Sequence, residues 1–162
     1  MLFRNETAAA ADAECVHALH ELRLWSQSVK TFDPVHKHIV AYAVVKCSGT
    51  LERAFKSMIA DRVSRGGSPQ VCQCIDQVIR RCSSNPRYTE IVKLLGLVDN
   101  EWCNKFKKLV KALPEQDRQA LESLVTNRNA VAHGGAVSSG FEDVVGYYCR
   151  ARRLVSLIEK IF

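Results

Sequence analysis

Apolar residues recur every three or four positions along most of this chain. Leu51, Phe55, Met58 and Ile59 form one stripe, and Val71, Cys74, Ile75, Val78 and Ile79 form a second. Trp102, Phe106, Leu109 and Leu113 make a third. Phe141, Val144, Val145, Tyr148, Leu154, Ile158 and Ile161 make the last. That spacing returns side chains to one face of a helix. No run alternates polar and apolar residues for long enough to read as a strand. The predicted fold class is all-α, a helical bundle.

Polar punctuation divides the stripes. Asp33-Pro34, Ser68-Pro69 and Asn85-Pro86 each set a capping side chain before a proline, the pattern of a helix start. Asp99 and Pro114 open further helices, and Ser139-Gly140-Phe141-Glu142 fits a capping box. Gly66-Gly67 and Gly134-Gly135 are breaks. Helices are therefore expected over about 7–30, 34–63, 69–83, 86–95, 100–112, 114–133 and 140–161. Residues 1–162 are expected to form a single domain, since a chain of that length suits one core.

Composition narrows the function classes. The chain is 47% hydrophobic and 25% charged, ordinary for a soluble protein, but its formal net charge is +6. That balance favours anionic partners, nucleic acid first. The seven cysteines are an odd number and include no C-x-x-C pair. Cys72-x-Cys74 with Cys82 is the grouping to weigh as a metal site, but buried thiols in a reducing compartment account for it better. No metal or cofactor is expected. The segment Met1–Ala13 lacks a continuous apolar run, and nothing approaches the roughly 20 apolar residues of a membrane span. The expectation is a cytoplasmic protein without a membrane partner.

The chemistry sits at one helix end, in Arg128-Asn129-Ala130-Val131-Ala132-His133 before Gly134. On a helix, Asn129 and His133 are neighbours at i and i+4, while Arg128 lies roughly 140° from His133. Metal-free RNA cleavage needs a base for the ribose 2′-OH, an acid for the leaving 5′-oxygen and a cation for the phosphorane. Histidine moves protons near neutral pH, and arginine grips phosphate oxygens in pairs. Asparagine can orient the phosphate or the imidazole. One motif supplies one His and one Arg, so a homodimer is needed to complete the acid–base pair. A bland reading competes: a histidine in a last turn suits the helix dipole, and glycine after it is an ordinary cap.

Arg128-Asn129-x-x-x-His133 resembles the R-x(4–6)-H motif of the HEPN superfamily, in the form where a polar residue follows the arginine. It lies before a final helix, as in that family. The stretch Tyr42-Ala43-Val44-Val45-Lys46-Cys47-Ser48-Gly49-Thr50-Leu51-Glu52-Arg53-Ala54-Phe55 resembles the long second helix of the RiboL-PSP-HEPN branch. The resemblance runs from His36 to Phe162. It implies a helical bundle that dimerises around the motif helices and cleaves RNA without metal to 2′,3′-cyclic phosphate and 5′-hydroxyl ends. It makes Arg128 and His133 catalytic and Asn129 supporting. Glu52 matches an acidic position facing the cleft in related branches, against a plain reading as a partner of Arg53 or Lys56. Cellular roles in toxin–antitoxin pairs, phage defence or RNA processing follow by analogy, with an antitoxin as a possible protein partner and a bacterial or archaeal origin. The alternatives are a catalytically silent HEPN module that binds RNA, a nucleotide or a protein, and an unrelated helical regulator.

Three basic groups stand out as RNA contacts. Arg150, Arg152 and Arg153 are the best placed, because the last helix should pack beside the motif helix. Lys105, Lys107, Lys108 and Lys111 read better as a solvated face, and Arg80, Arg81 and Arg87 cluster at a helix junction. Trp25 and Trp102 are expected in the core or at the dimer seam.

Overall fold

The computed structural model describes residues 2–30 and 33–162. Within them the chain forms seven helices and no strand: α1 (Glu6–Ser28), α2 (Pro34–Ser64), α3 (Pro69–Ile75), α4 (Tyr88–Val98), α5 (Asn100–Lys111), α6 (Glu115–Ala132) and α7 (Phe141–Ser156). A wider turn, Asp76–Arg80, prolongs α3, and a tighter one, Leu157–Lys160, prolongs α7. Asp33, Ser68 and Asp99 cap α2, α3 and α5 through their side chains as expected. Asn5 also caps α1, its side chain accepting from the Ala8 amide.

Four helices make the frame, and polar pairs fix their directions. Glu14 meets Lys46 and Ser26 meets His36, so α1 and α2 run antiparallel. Arg23 meets Glu142, while Asp12 meets Tyr148 and Arg152, so α1 and α7 are antiparallel too. Asp117 meets Arg153, and Asn127 meets Ser138 and Ser139, which sets α6 against α7. The C-termini of α1 and α6 and the N-termini of α2 and α7 thus share one end of the bundle. Helix α2 packs on α1, α6 and α7, and its Leu51, Phe55 and Ile59 are fully buried. Truncating such a side chain to alanine costs about 2–5 kcal/mol.

Local signals were overridden in several places. Helix α4 begins at Tyr88, not Pro86, and reaches Val98; Asn85 does not cap it but turns its amide to Asn129. Helix α7 is capped by Gly140 and Asp143, not by Ser139 and Glu142. Asn127 takes the Ser139 hydroxyl, and Glu142 reaches Arg23. The second apolar stripe is mostly surface: Val71, Cys74 and Val78 are exposed and only Ile79 is buried, because α3 is too short to cover more than its contact with α2. Trp25 lies outside the core, 65% exposed, whereas Trp102 packs edge-on against Phe162.

Burial also shapes the polar core between α1, α2 and α7. Tyr148 is buried, which pushes its hydroxyl well above the usual range and keeps it a donor to Asp12. Burial likewise pushes the Cys47 thiol up, and its hydrogen bond to Cys15 lowers that neighbour. No helix of the described residues is long and apolar enough to cross a membrane.

Candidate functional site at the end of helix six

Helix α6 is anchored by Leu121, Leu124 and Val125, all fully buried, and carries Glu115 and Asp117 in its first turn, where the dipole favours negative charge. Its other end is closed by backbone bonds. The Gly134 amide donates to the Val131 carbonyl at 3.1 Å and the Gly135 amide to the Ala130 carbonyl at 2.7 Å, a Schellman closure. Gly134 takes φ +73°, in the left-handed region, and a Cβ on Gly135 would stand 3.1 Å from the Ala130 oxygen. Gly134 is therefore required by the cap, and a side chain at Gly135 would press on the Ala130 carbonyl. The two glycines leave His133 as the cap residue itself, φ −100° and ψ 17°, exposed at the tip of the helix.

Arg128 and Asn129 sit one turn back and half-buried. The Asn129 carboxamide oxygen accepts from Arg128 Nη1 at 3.3 Å and, more loosely, from Asn85 Nδ2 at 3.5 Å. That oxygen is thus engaged by Arg128 and Asn85, and it is not turned to His133 as the i, i+4 spacing suggested. Asn85 belongs to the connector 81–87, which is tied down on both sides. Lys56, 5% exposed, donates to the Cys82 carbonyl and to Glu52, and Arg87 and the Tyr88 amide both meet Glu122. Glu52 reaches the motif only through this chain of contacts: its carboxylate faces Lys56 on α2, near Arg53, Ser57 and Arg80.

One residue beside the motif gave no sequence signal. Asn127 is 5% exposed, and its side chain makes four hydrogen bonds. Nδ2 donates to the Ser123 carbonyl at 2.9 Å and to Ser139 Oγ at 3.2 Å. Oδ1 accepts from the Ser138 amide at 3.2 Å and from its hydroxyl at 3.3 Å. This latch holds the loop that follows His133 against α6. A polar residue at a buried helical position is the trace such a latch leaves in a sequence, and next to Arg128 it was hidden in the motif's own polar run.

The three arginines of α7 do not share one surface. Arg153 Nη2 lies 2.8 Å and Arg150 Nη1 3.6 Å from Asp117, a carboxylate that is 1% exposed. Arg152 turns the other way, to Asp12 on α1, and packs over Tyr148. Because α6 and α7 are antiparallel, the Asp117 end lies about 24 Å along α6 from His133, sixteen residues at 1.5 Å each. Cys72, Cys74 and Cys82 are not the buried thiols expected: Cys74 is exposed, and the half-buried Cys72 and Cys82 donate to the nearby Ser64 and Ile79 carbonyls. No group of His, Cys, Asp and Glu among the described residues has a metal-binding arrangement.

The family described as RiboL-PSP-HEPN matches residues 13–162, which covers both the motif helix and the long α2. The chain belongs to this HEPN family. Helix α1 from Ala13 onward lies inside the match, so the resemblance seen from His36 extends upstream. No curated protein and no solved structure matches the chain. A HEPN domain of this kind is consistent with ribonuclease or RNA-binding function, and its partners with RNA or protein.

Proposed function

We propose that the protein is a HEPN endoribonuclease that acts as a two-fold dimer and cuts RNA without metal. One observation carries this: α6 ends by backbone bonds alone, which leaves the His133 imidazole exposed at the tip, with Arg128 and Asn129 paired to each other one turn back. A neutral His133 takes the proton of a ribose 2′-OH, whose oxygen attacks the adjacent phosphorus. The bond from phosphorus to the 5′-oxygen breaks, and a protonated His133 from the second chain gives that oxygen its proton. The products are a 2′,3′-cyclic phosphate and a 5′-hydroxyl. Arg128 neutralises the phosphorane, and the Asn129 amide nitrogen is left to donate to a phosphate or ribose oxygen. Glu52 acts through Lys56 on the connector that carries Asn85, as a positioning residue. A toxin or defence-effector role, with an antitoxin protein as partner, accords with this reading.

The test is cleavage of a mixed RNA in EDTA by wild type and His133→Ala. Removal of a general acid–base group lowers the rate about 10²- to 10⁴-fold. A DNA copy of the cut RNA should resist, for want of the 2′-OH. Equal cutting by both proteins points to a contaminant or another site and rejects His133 as the catalytic group; no cutting by the wild type on RNA of any origin rejects the ribonuclease and leaves a binding module. A monomer at micromolar concentration by light scattering rejects the composite site.

A further inference from the structure

The seam between α6 and α7 opens into a polar groove of about 460 Å³. Gln119, Ser123 and Thr126 line it from α6, Tyr147 from α7, and Ser138 and Ser139 from the loop between them. At one end is the loop that follows His133, held by the Asn127 latch. At the other is Arg118, beside Asp117, and Arg150 follows three residues after Tyr147 on the same face of α7.

The arginine end is unusual in its charge. Arg150 and Arg153 both lean on the buried carboxylate of Asp117, and their side chains stay 48% and 52% exposed. One negative charge faces two positive ones, so the cluster carries a net positive charge. A guanidinium has five N–H donors in a fixed fork, and the carboxylate does not exhaust two of them. The other charges near the groove cancel: Arg118 is matched by Glu115, and Glu122 by Arg87. A groove with hydroxyls and amides along its length, and a surplus cation just beyond its far end on the neighbouring turns of α7, suits a strand that alternates ribose and phosphate.

We infer that this groove carries a single-stranded stretch of the RNA substrate, with a backbone phosphate held by Arg150 and Arg153. The inference rests on the ribonuclease reading for the identity of the strand. About 24 Å separates the clamp from His133 along α6, so a strand of several nucleotides is needed to reach from one to the other. A groove between two helices admits splayed bases and ribose hydroxyls, whereas a stacked duplex is too wide to enter it. Arg152, turned to α1, takes no part.

The experiment measures RNA affinity in a His133→Ala background, by fluorescence anisotropy with a labelled single-stranded 12-mer and a dinucleotide. The 12-mer should bind more tightly than the dinucleotide. Arg150→Gln removes one phosphate contact, which flattens the salt dependence by about 0.7 and weakens binding about fivefold at 0.1 M salt. Gln119→Glu, isosteric and exposed, should weaken it by a similar factor, and Gln119→Lys should tighten it. Opposite signs at one position are not produced by a folding defect. Lys107→Glu, exposed on α5, alters net charge more yet should change the affinity about twofold or less. Unchanged affinity in both groove variants overturns the inference, as does an equal loss with Lys107→Glu. Dissociation of a dimer by Gln119→Glu at unchanged RNA affinity also overturns it, and makes the groove a subunit seam. If the groove variants behave as expected while the chain with His133 intact cuts no RNA, the ribonuclease reading fails alone. Cleavage with groove-independent binding fails the groove alone.

Discussion

Asn127→Ala is the substitution that joins stability to function most directly. The residue sits on α6 next to Arg128, 5% exposed, and holds the loop after the motif through four hydrogen bonds. A net hydrogen bond contributes about 0.5–1.5 kcal/mol. Ser138 is exposed and Ser139 half-exposed, so their groups recover water when the carboxamide is removed, and the Ser123 carbonyl keeps its helical bond. Each bond therefore counts at the low end, near 0.5 kcal/mol. Four such bonds and the lost packing of a buried side chain come to about 2–3 kcal/mol. For a chain of this size that lowers Tm by about 4–12 °C.

The loss should be local in character. The Schellman closure of α6 is made by backbone groups and does not need Asn127, so His133 stays at its cap while residues 136–140 detach. Amide exchange of Ser138, whose acceptor is the Asn127 oxygen, should accelerate more than that of the buried α6 core. RNA cleavage should fall, by less than in His133→Ala, because the reacting groups remain. Asn127→Asp keeps the acceptor for Ser138 but sets a buried carboxylate oxygen against the Ser123 carbonyl, so it should be no more stable than alanine. A Tm within about one degree of wild type, with unchanged exchange at Ser138, would refute the latch.

Two further substitutions test the rest of the framework. Lys56→Met removes a buried cation that serves Glu52 and the Cys82 carbonyl, and should cost about 2–4 kcal/mol in urea unfolding; Glu52→Gln keeps an acceptor for Lys56, so cleavage should stay within about threefold, and a fall of about 10²-fold or more would assign Glu52 to proton transfer. Lys46 holds the Glu14 carboxyl below its usual value of 4.5, so the pair stabilises the fold above that pH and loses this effect as pH falls through the lowered value. The Tm gap between wild type and Glu14→Gln should be present at pH 7, small because the pair is exposed, and should shrink as the pH is lowered through the Glu14 titration; a gap that does not change with pH would refute the coupling.

The frame of the fold was legible because its signals are local. A capping side chain followed by proline at Asp33 and Ser68, and the apolar stripe of α2, act within one or two turns and need no distant partner. The second stripe misled for the opposite reason. Its period was helical, but burial depends on how much partner surface is available, and α3 with its extension buries only Ile79 fully, with Ile75 half-covered against the core. Arg150, Arg152 and Arg153 show the same limit. Sequence places them on the final helix, but the antiparallel packing that carries them to the far end of α6 from His133, and splits Arg152 from the other two, is a tertiary fact.

The two capping signals that failed lie at one place. Asn85 should have capped α4 and Ser139 should have capped α7, and each was drawn off by an asparagine of α6: Asn85 by Asn129, Ser139 by Asn127. Those asparagines flank Arg128. Local preference is expected to give way where a site is held in a particular geometry, and here the same pairings do that holding. Asn129 collects Arg128 and the connector from one side, while Asn127 collects the glycine loop from the other. On the proposed reading, Arg128, His133 and the Asn129 amide nitrogen are left for chemistry, while Asn127 and the Asn129 oxygen hold the frame around them. What this scheme does not supply is a second histidine at the same helix tip. On the proposed mechanism the order within each chain is complete without it but the proton transfer is not, which is the physical reason to look for the second chain at the end of α6.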